Sequence, residues 1–192
     1  MGKAEILLDE INLIKDPMLR EFIEYCVDES PDYFFTMPAS TTGKHHPSYT
    51  LGEGGLIRHT KAAVKIANDL VNLEQNQYLP KDEIISALIL HDSIKQGKDE
   101  SGHTLFEHPI LAAEFIEEKF ERFEFDVDCG ELKELNNQVS IIKRLIKSHM
   151  GQWNSDYKTG EEVLPKPIKE DEKFVHMCDY IASRSYLICE VE

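Results

Sequence analysis

The chain has no apolar run near the roughly 18–20 residues that a membrane-spanning helix needs, so no membrane segment is expected. It has no Cys-x-x-Cys pair. Cys26, Cys129, Cys178 and Cys189 stand far apart, which argues against a structural zinc knot. The N-terminal stretch MGKAEILLDEINLIKD carries acids through its apolar positions and does not read as a secretory signal. Position 6 is Ile, where a myristoylation signal wants Ser or Thr. Reduced thiols and a cytoplasmic setting are therefore expected. Bases are few, 21 against 36 acids, for a formal net charge of −15. That balance disfavours a sequence-independent binder of long nucleic acid, which needs a basic footprint. It does not exclude a small anionic substrate held through metal ions, because a bound cation inverts the local charge logic. Also missing are internal repeats, low-complexity tracts, a Gly-x-Ser-x-Gly nucleophile elbow and a Gly-x4-Gly-Lys-Ser/Thr phosphate loop.

What remains is 192 residues with 41% hydrophobic and 30% charged positions, a balance that supports one folded domain with a real core. Helical periodicity dominates, and strand-like alternation is scarce, so an all-α fold is expected. Helices are predicted at 3–15, 17–28, 55–73, 81–92, 108–123, 131–149 and 169–188. The second opens on Asp16-Pro17, a cap followed by proline in the first turn. Residues 31–53 read as loop with one short helical turn, and 150–168, with Gly151, Gly160, Pro165 and Pro167, as a long loop. Residues 1–30 form a helical N-terminal extension and 31–192 the main domain. Charge is uneven: segment 97–134 has twelve acids and four bases, net −8, and reads as a solvated acidic face. Segment 40–70 carries Lys44, Arg58, Lys61, Lys65 and three histidines, and is the better place for an anion.

Helix residues three, four and seven apart share a face. His59 lies on the stripe of Leu56, Ala63, Ile66 and Leu70; His91 and Asp92 follow Leu88 by three and four. His108 opens a helix in line with Leu111, Ala112 and Phe115, and His149 continues Ile142, Leu145 and Ile146. Asp179 falls between Val175 and Ala182. A single inward histidine is usually a satisfied core residue, and a single inward aspartate a cap or a buried pair. Six on core-facing stripes of five helices, with few matching cations, point instead to a mixed nitrogen and oxygen metal site, because an unpaired buried carboxylate costs several kcal/mol.

The pattern His59, His91-Asp92, Asp179 resembles the HD-domain phosphohydrolases, whose mark is His, His-Asp and Asp on a helical core. The flanks GGLIRHT and ALILHDSIK are similar to the family's usual surroundings, and His108 and His149 match the extra histidines of members that hold two metals. Within the family, Pro38-Ala39-Ser40, Lys44-His45-His46, Gly54-Gly55-Leu56, His149 with Gly151, and FVHMCDYIASR resemble the HD domain of bacterial YhaM-type 3′→5′ exoribonucleases, over residues 34–186. Two departures stand out. Those enzymes carry an N-terminal OB-type nucleic-acid module, for which the roughly 30 residues here are too short, and the family's Gly after His-Asp is Ser93.

The resemblance implies an HD-domain helical bundle with a metal centre in its core, holding divalent ions, two in number. His59, His91, Asp92 and Asp179 would hold the first; His108, His149 and Asp92 the second. Histidine-rich ligation and the family favour manganese or iron, with Mg, Co, Ni or Zn open. It further implies hydrolysis of phosphodiester bonds in nucleotides, cyclic nucleotides or short oligonucleotides by water activated between the ions. Asp92 and Lys95 would be catalytic, Lys95 touching the substrate phosphate or else pairing with Asp92. His45 or His46 would bind phosphate or protonate the leaving group, Trp153 would stack on a base or close the site, and Arg58 would clamp phosphate or stay at the surface. A nucleotide phosphatase or triphosphohydrolase, or a non-catalytic nucleotide-binding module, is the alternative. A homo-oligomer is left open.

Overall fold

The computed structural model describes residues 2–40, 43, 46–124 and 129–187. Among them lie eight α-helices and no strand, only an isolated bridge between Ser155 and Glu162. The helices are α1 (Leu8–Ile11), α2 (Pro17–Asp28), α3 (Asp32–Thr36), α4 (Gly55–Val71), α5 (Lys81–Leu90), α6 (His108–Arg122), α7 (Cys129–Ser148) and α8 (Glu170–Ala182). The all-α expectation holds, and among the described residues no helix is long and apolar enough to cross a membrane.

The organising element is α5. Every residue from Ile84 to Leu90 is buried, so the helix is apolar all round and belongs at the centre of a bundle. It packs against α4 and α7 on its flanks and against α1, α2 and α8. The N-terminal segment shares this core: Leu7, Ile11, Ile14, Leu19, Phe22, Ile23, Cys26 and Val27 are buried in the same cluster as α5. Asp82 fastens it there, accepting bonds from the Lys15 and Asp16 amides at 2.9 and 2.8 Å. Asp16 in turn caps α2 as its sequence predicts, accepting from Met18 and Leu19.

Several helices stop short of the periodicity, and for a common reason. α5 ends at Leu90, not Asp92, because the His91 ring donates to the Leu88 carbonyl and the Ser93 hydroxyl to the Leu90 carbonyl. Side chains thus occupy acceptors that a continuing helix would use. α7 ends at Ser148 with the same exchange, His149 donating to the Ile146 carbonyl. α8 ends at Ala182, where the Ser183 hydroxyl and the Arg184 Nε both donate to the Tyr180 carbonyl. The predicted helix over 3–15 is instead a 3-10 turn over Lys3–Leu7 followed by α1.

Gly55 has no room for a side chain: a Cβ there would meet the Thr50 carbonyl oxygen at 2.0 Å. Gly54 and Gly55 therefore serve the start of α4, and Gly55 lets the backbone of Pro38 and Thr50 lie directly against it.

Candidate metal centre

His91 and Asp92 leave the end of α5 in the middle of the bundle, 0% and 3% exposed. α4 brings His59 beside them, the start of α6 brings His108, the end of α7 brings His149, and α8 brings Asp179. Ring centroids lie 5.4 Å apart for His59–His91, 5.0 Å for His91–His149 and 5.2 Å for His108–His149. The six residues expected to converge from five helices are all in one cluster.

The hydrogen bonds fix how they face each other. His91, His108 and His149 each place Nδ1 against the carbonyl three residues earlier, Leu88, Leu105 and Ile146, at 2.8, 2.8 and 2.7 Å. A carbonyl only accepts, so each Nδ1 carries a proton, and Nε2 is the atom whose lone pair each ring can offer a metal. Those lone pairs point at one another. His108 and His149 Nε2 are 3.3 Å apart, and His91 Nε2 is buried with no hydrogen-bond partner among the described residues. The carboxylates join them: Asp92 Oδ1 is 3.0 Å from His108 Nε2, Asp92 Oδ2 is 3.5 Å from His91 Nε2, and Asp179 Oδ1 is 2.9 Å from His59 Nε2 and 3.6 Å from His91 Nε2. Facing acceptors repel unless a cation lies among them, and imidazoles that donate their other N–H to a carbonyl are oriented as metal ligands. The donor set therefore fits divalent metal. His59, His91 and Asp179 form one group with ligand atoms close enough to share an ion; His91, Asp92 and His149 form another.

Electrostatics lead the same way. Burial opposes charge on Asp92, yet Lys95, His91 and His108 outweigh it and hold the carboxyl well below its ordinary range. Burial likewise opposes Asp179, and His59 and His91 outweigh it. For His91, burial pushes down but Asp92 and Asp179 push further up, so the carboxylates demand positive charge at its Nε2. His149 is pushed down to about 3, by burial first and then by His91 and His108, and stays a neutral donor of electrons.

All of the cluster except the fully buried His91 lines a cavity of about 500 Å³. Lys95 lines it with Nζ 2.5 Å from Asp92 Oδ2, the pairing that the sequence offered as the alternative to a phosphate contact. His46 lines it beside His59, ring centroids 6.2 Å apart, and burial, with His59 and Lys95, pushes it down to about 4. Trp153 lines the mouth, 46% exposed and stacked on Tyr180 at 5.6 Å. His45 lies outside the described residues. Arg58 is not brought to the cavity: its guanidinium donates to the Tyr49, Leu51 and Glu53 carbonyls and pins that turn to α4. Cys178, next to Asp179, is a buried thiol pushed up to about 12 by burial and offers no nucleophile near neutral pH.

Two contributors escape the sequence reading. Arg184 lines the cavity beyond Asp179. His176 donates from Nδ1 to the His149 carbonyl at 2.7 Å, and its ring fills the space above Gly151, where a Cβ would meet it at 2.2 Å. Its place three residues before Asp179 was the available signal.

The family model for the HD domain matches residues 56–184, and no curated protein and no solved structure matches the chain. The match takes in His59, the His91-Asp92 pair, His108, His149 and Asp179. The chain belongs to the HD-domain family, within the superfamily of metal-dependent phosphohydrolases.

Proposed function

We propose that this HD-domain protein is a two-metal phosphodiesterase acting on nucleotides, cyclic nucleotides or short oligonucleotides. The observation that carries the reading is the set of Nε2 lone pairs of His91, His108 and His149, converged on Asp92 while each Nδ1–H is held by a backbone carbonyl. On this reading His59, His91, Asp92 and Asp179 hold one divalent ion, and His108, His149 and Asp92 a second. Mn²⁺ or Fe²⁺ suits the nitrogen-rich set better than Mg²⁺. Bound divalent metal polarises a phosphoryl oxygen and lowers the pKa of water at the site.

The remaining work falls to the chain. Asp92 offers two oxygens toward different rings, the requirement for a shared ligand. Lys95 turns its ammonium toward a phosphoryl oxygen, held in place by Asp92. His46 meets the substrate as a neutral imidazole near pH 7 and donates a hydrogen bond to phosphate or to the leaving oxygen. Trp153 gives a base a flat apolar face. The likeness of the flanking motifs to YhaM-type exoribonucleases supports cleavage from a 3′ end.

Product analysis tests this. A 5′-end-labelled oligoribonucleotide incubated with the protein and Mn²⁺ should shorten from its 3′ end, and not with Asp92→Ala. If oligonucleotides, dinucleotides and cyclic nucleotides all stay intact while mononucleotides lose phosphate, the phosphatase alternative replaces this reading.

A further inference from the structure

We infer that Arg184 forms an anion subsite at the rim of the metal cavity and selects substrates carrying a second phosphate beyond the one held at the metal centre. The inference rests on the nucleotide reading above and names the substrate class more narrowly.

Lys95 and Arg184 are the two Lys or Arg side chains lining the cavity among the described residues. Lys95 stands at Asp92, beside the candidate metal ligands. Arg184 has no carboxylate within 4.0 Å of its nitrogens among the described residues. It is nevertheless held. Nε donates to the Tyr180 carbonyl at 3.2 Å, one Nη donates to the Ser183 hydroxyl at 2.8 Å, and the guanidinium carbon lies 4.1 Å from the Tyr180 ring centroid. Those contacts fix the plane of the fork and leave the Nη1 edge without a protein partner among the described residues. A planar cation oriented by an aromatic face, with one edge open in a cavity, suits a phosphate oxygen pair.

Position sets the ligand. Arg184 stands two residues beyond the end of α8, and its nitrogens are not within 4.0 Å of the Asp92 or Asp179 carboxylates. Its open edge thus lies apart from the donor atoms of the metal centre, and the group assigned to it is a second phosphate. Between them, Tyr180 carries both the guanidinium and the stacked Trp153 ring, which places a base surface next to the second anion site. A nucleotide bearing two separated phosphates, as in a phosphorylated dinucleotide or an internal oligonucleotide residue, has that arrangement of groups.

Trp153 is the only tryptophan in the sequence, so intrinsic fluorescence reports occupancy without turnover. The probes are adenosine 3′,5′-bisphosphate and adenosine 5′-monophosphate, neither of which has a diester bond, titrated with Mn²⁺ fixed and repeated by calorimetry. The bisphosphate should bind the wild type at least about tenfold more tightly, the range of a charge-assisted contact. In Arg184→Gln that ratio should fall below about twofold, with Arg184→Lys between. Metal content and melting temperature identify folded variants. A purely structural role at the end of α8 would weaken both ligands alike and leave the ratio unchanged. An unchanged ratio in Arg184→Gln or Arg184→Lys, or no preference in the wild type, overturns the subsite. If the ratio collapses as expected while no diester is hydrolysed with Mn²⁺, the subsite stands and the phosphodiesterase reading fails.

Discussion

At the residue scale, Asp92 is where the structure concentrates its electrostatic demands. It touches Lys95, His91 and His108, and replacing its charge leaves three potential cations without their common partner. Asp92→Asn should retain less than half of the wild-type metal and lower phosphodiester hydrolysis at least about a hundredfold, read by metal analysis and initial rates. His91 gives a pH prediction with a definite sign. The carboxylates raise its pKa, so a proton occupies Nε2 to a higher pH than for a free histidine, and metal must displace it. Metal affinity should therefore climb with pH through and above the ordinary histidine range and level off once His91 is deprotonated in the apo protein. Calorimetry in buffers of different ionisation enthalpy should show proton release that shrinks as pH rises. Affinity independent of pH would remove His91 from the ligand set.

At the scale of elements, the site depends on where helices end. His149 leaves α7 into a turn that Gly151 makes at φ +60, closed by the His176 ring. Gly151→Ala strains the backbone and collides with that ring, so it should cost about 1–3 kcal/mol in denaturant unfolding and weaken metal binding with it. Arg144 joins α7 to the first turn of α8 through two bonds to Asp171 and one of 2.6 Å to Glu172. Arg144→Gln should cost about 2–3 kcal/mol near neutral pH. Arg144 lowers the Asp171 pKa, and for Glu172 it outweighs burial together with the Ile168 and Lys169 amides. Stability from these depressed groups is complete above their unfolded values and is lost as pH falls through the folded ones. The gap between wild type and Arg144→Gln should narrow below about pH 4.5, the unfolded carboxylate range. The same elements show what sequence can and cannot reveal. Asp16-Pro17 and the stripes of α4, α7 and α8 carry local signals, so α2 begins where expected and His59, His149 and Asp179 point inward. The ends of α5 and α8 depend on side chains competing for particular carbonyls, which periodicity does not record. Arg58 and Arg184 look alike in sequence as cations near ligands; only the fold turns one onto carbonyls and the other into the cavity.

At the scale of the whole molecule, a polar cluster at the centre of the bundle is a liability that metal removes. Metal binding the folded chain alone should raise stability by about 2.7 kcal/mol at a hundred times its dissociation constant, or roughly 5–10 °C in melting temperature for a chain of this length. Thermal scans with and without EDTA read this directly, and Asp92→Asn should show little shift. The measurement that bears most directly on the account is metal content itself, by elemental analysis after Mn²⁺ loading and desalting. Two ions per chain are expected in the wild type and one in the His108→Ala/His149→Ala double variant. A folded wild type that retains no more metal than Asp92→Asn would contradict it.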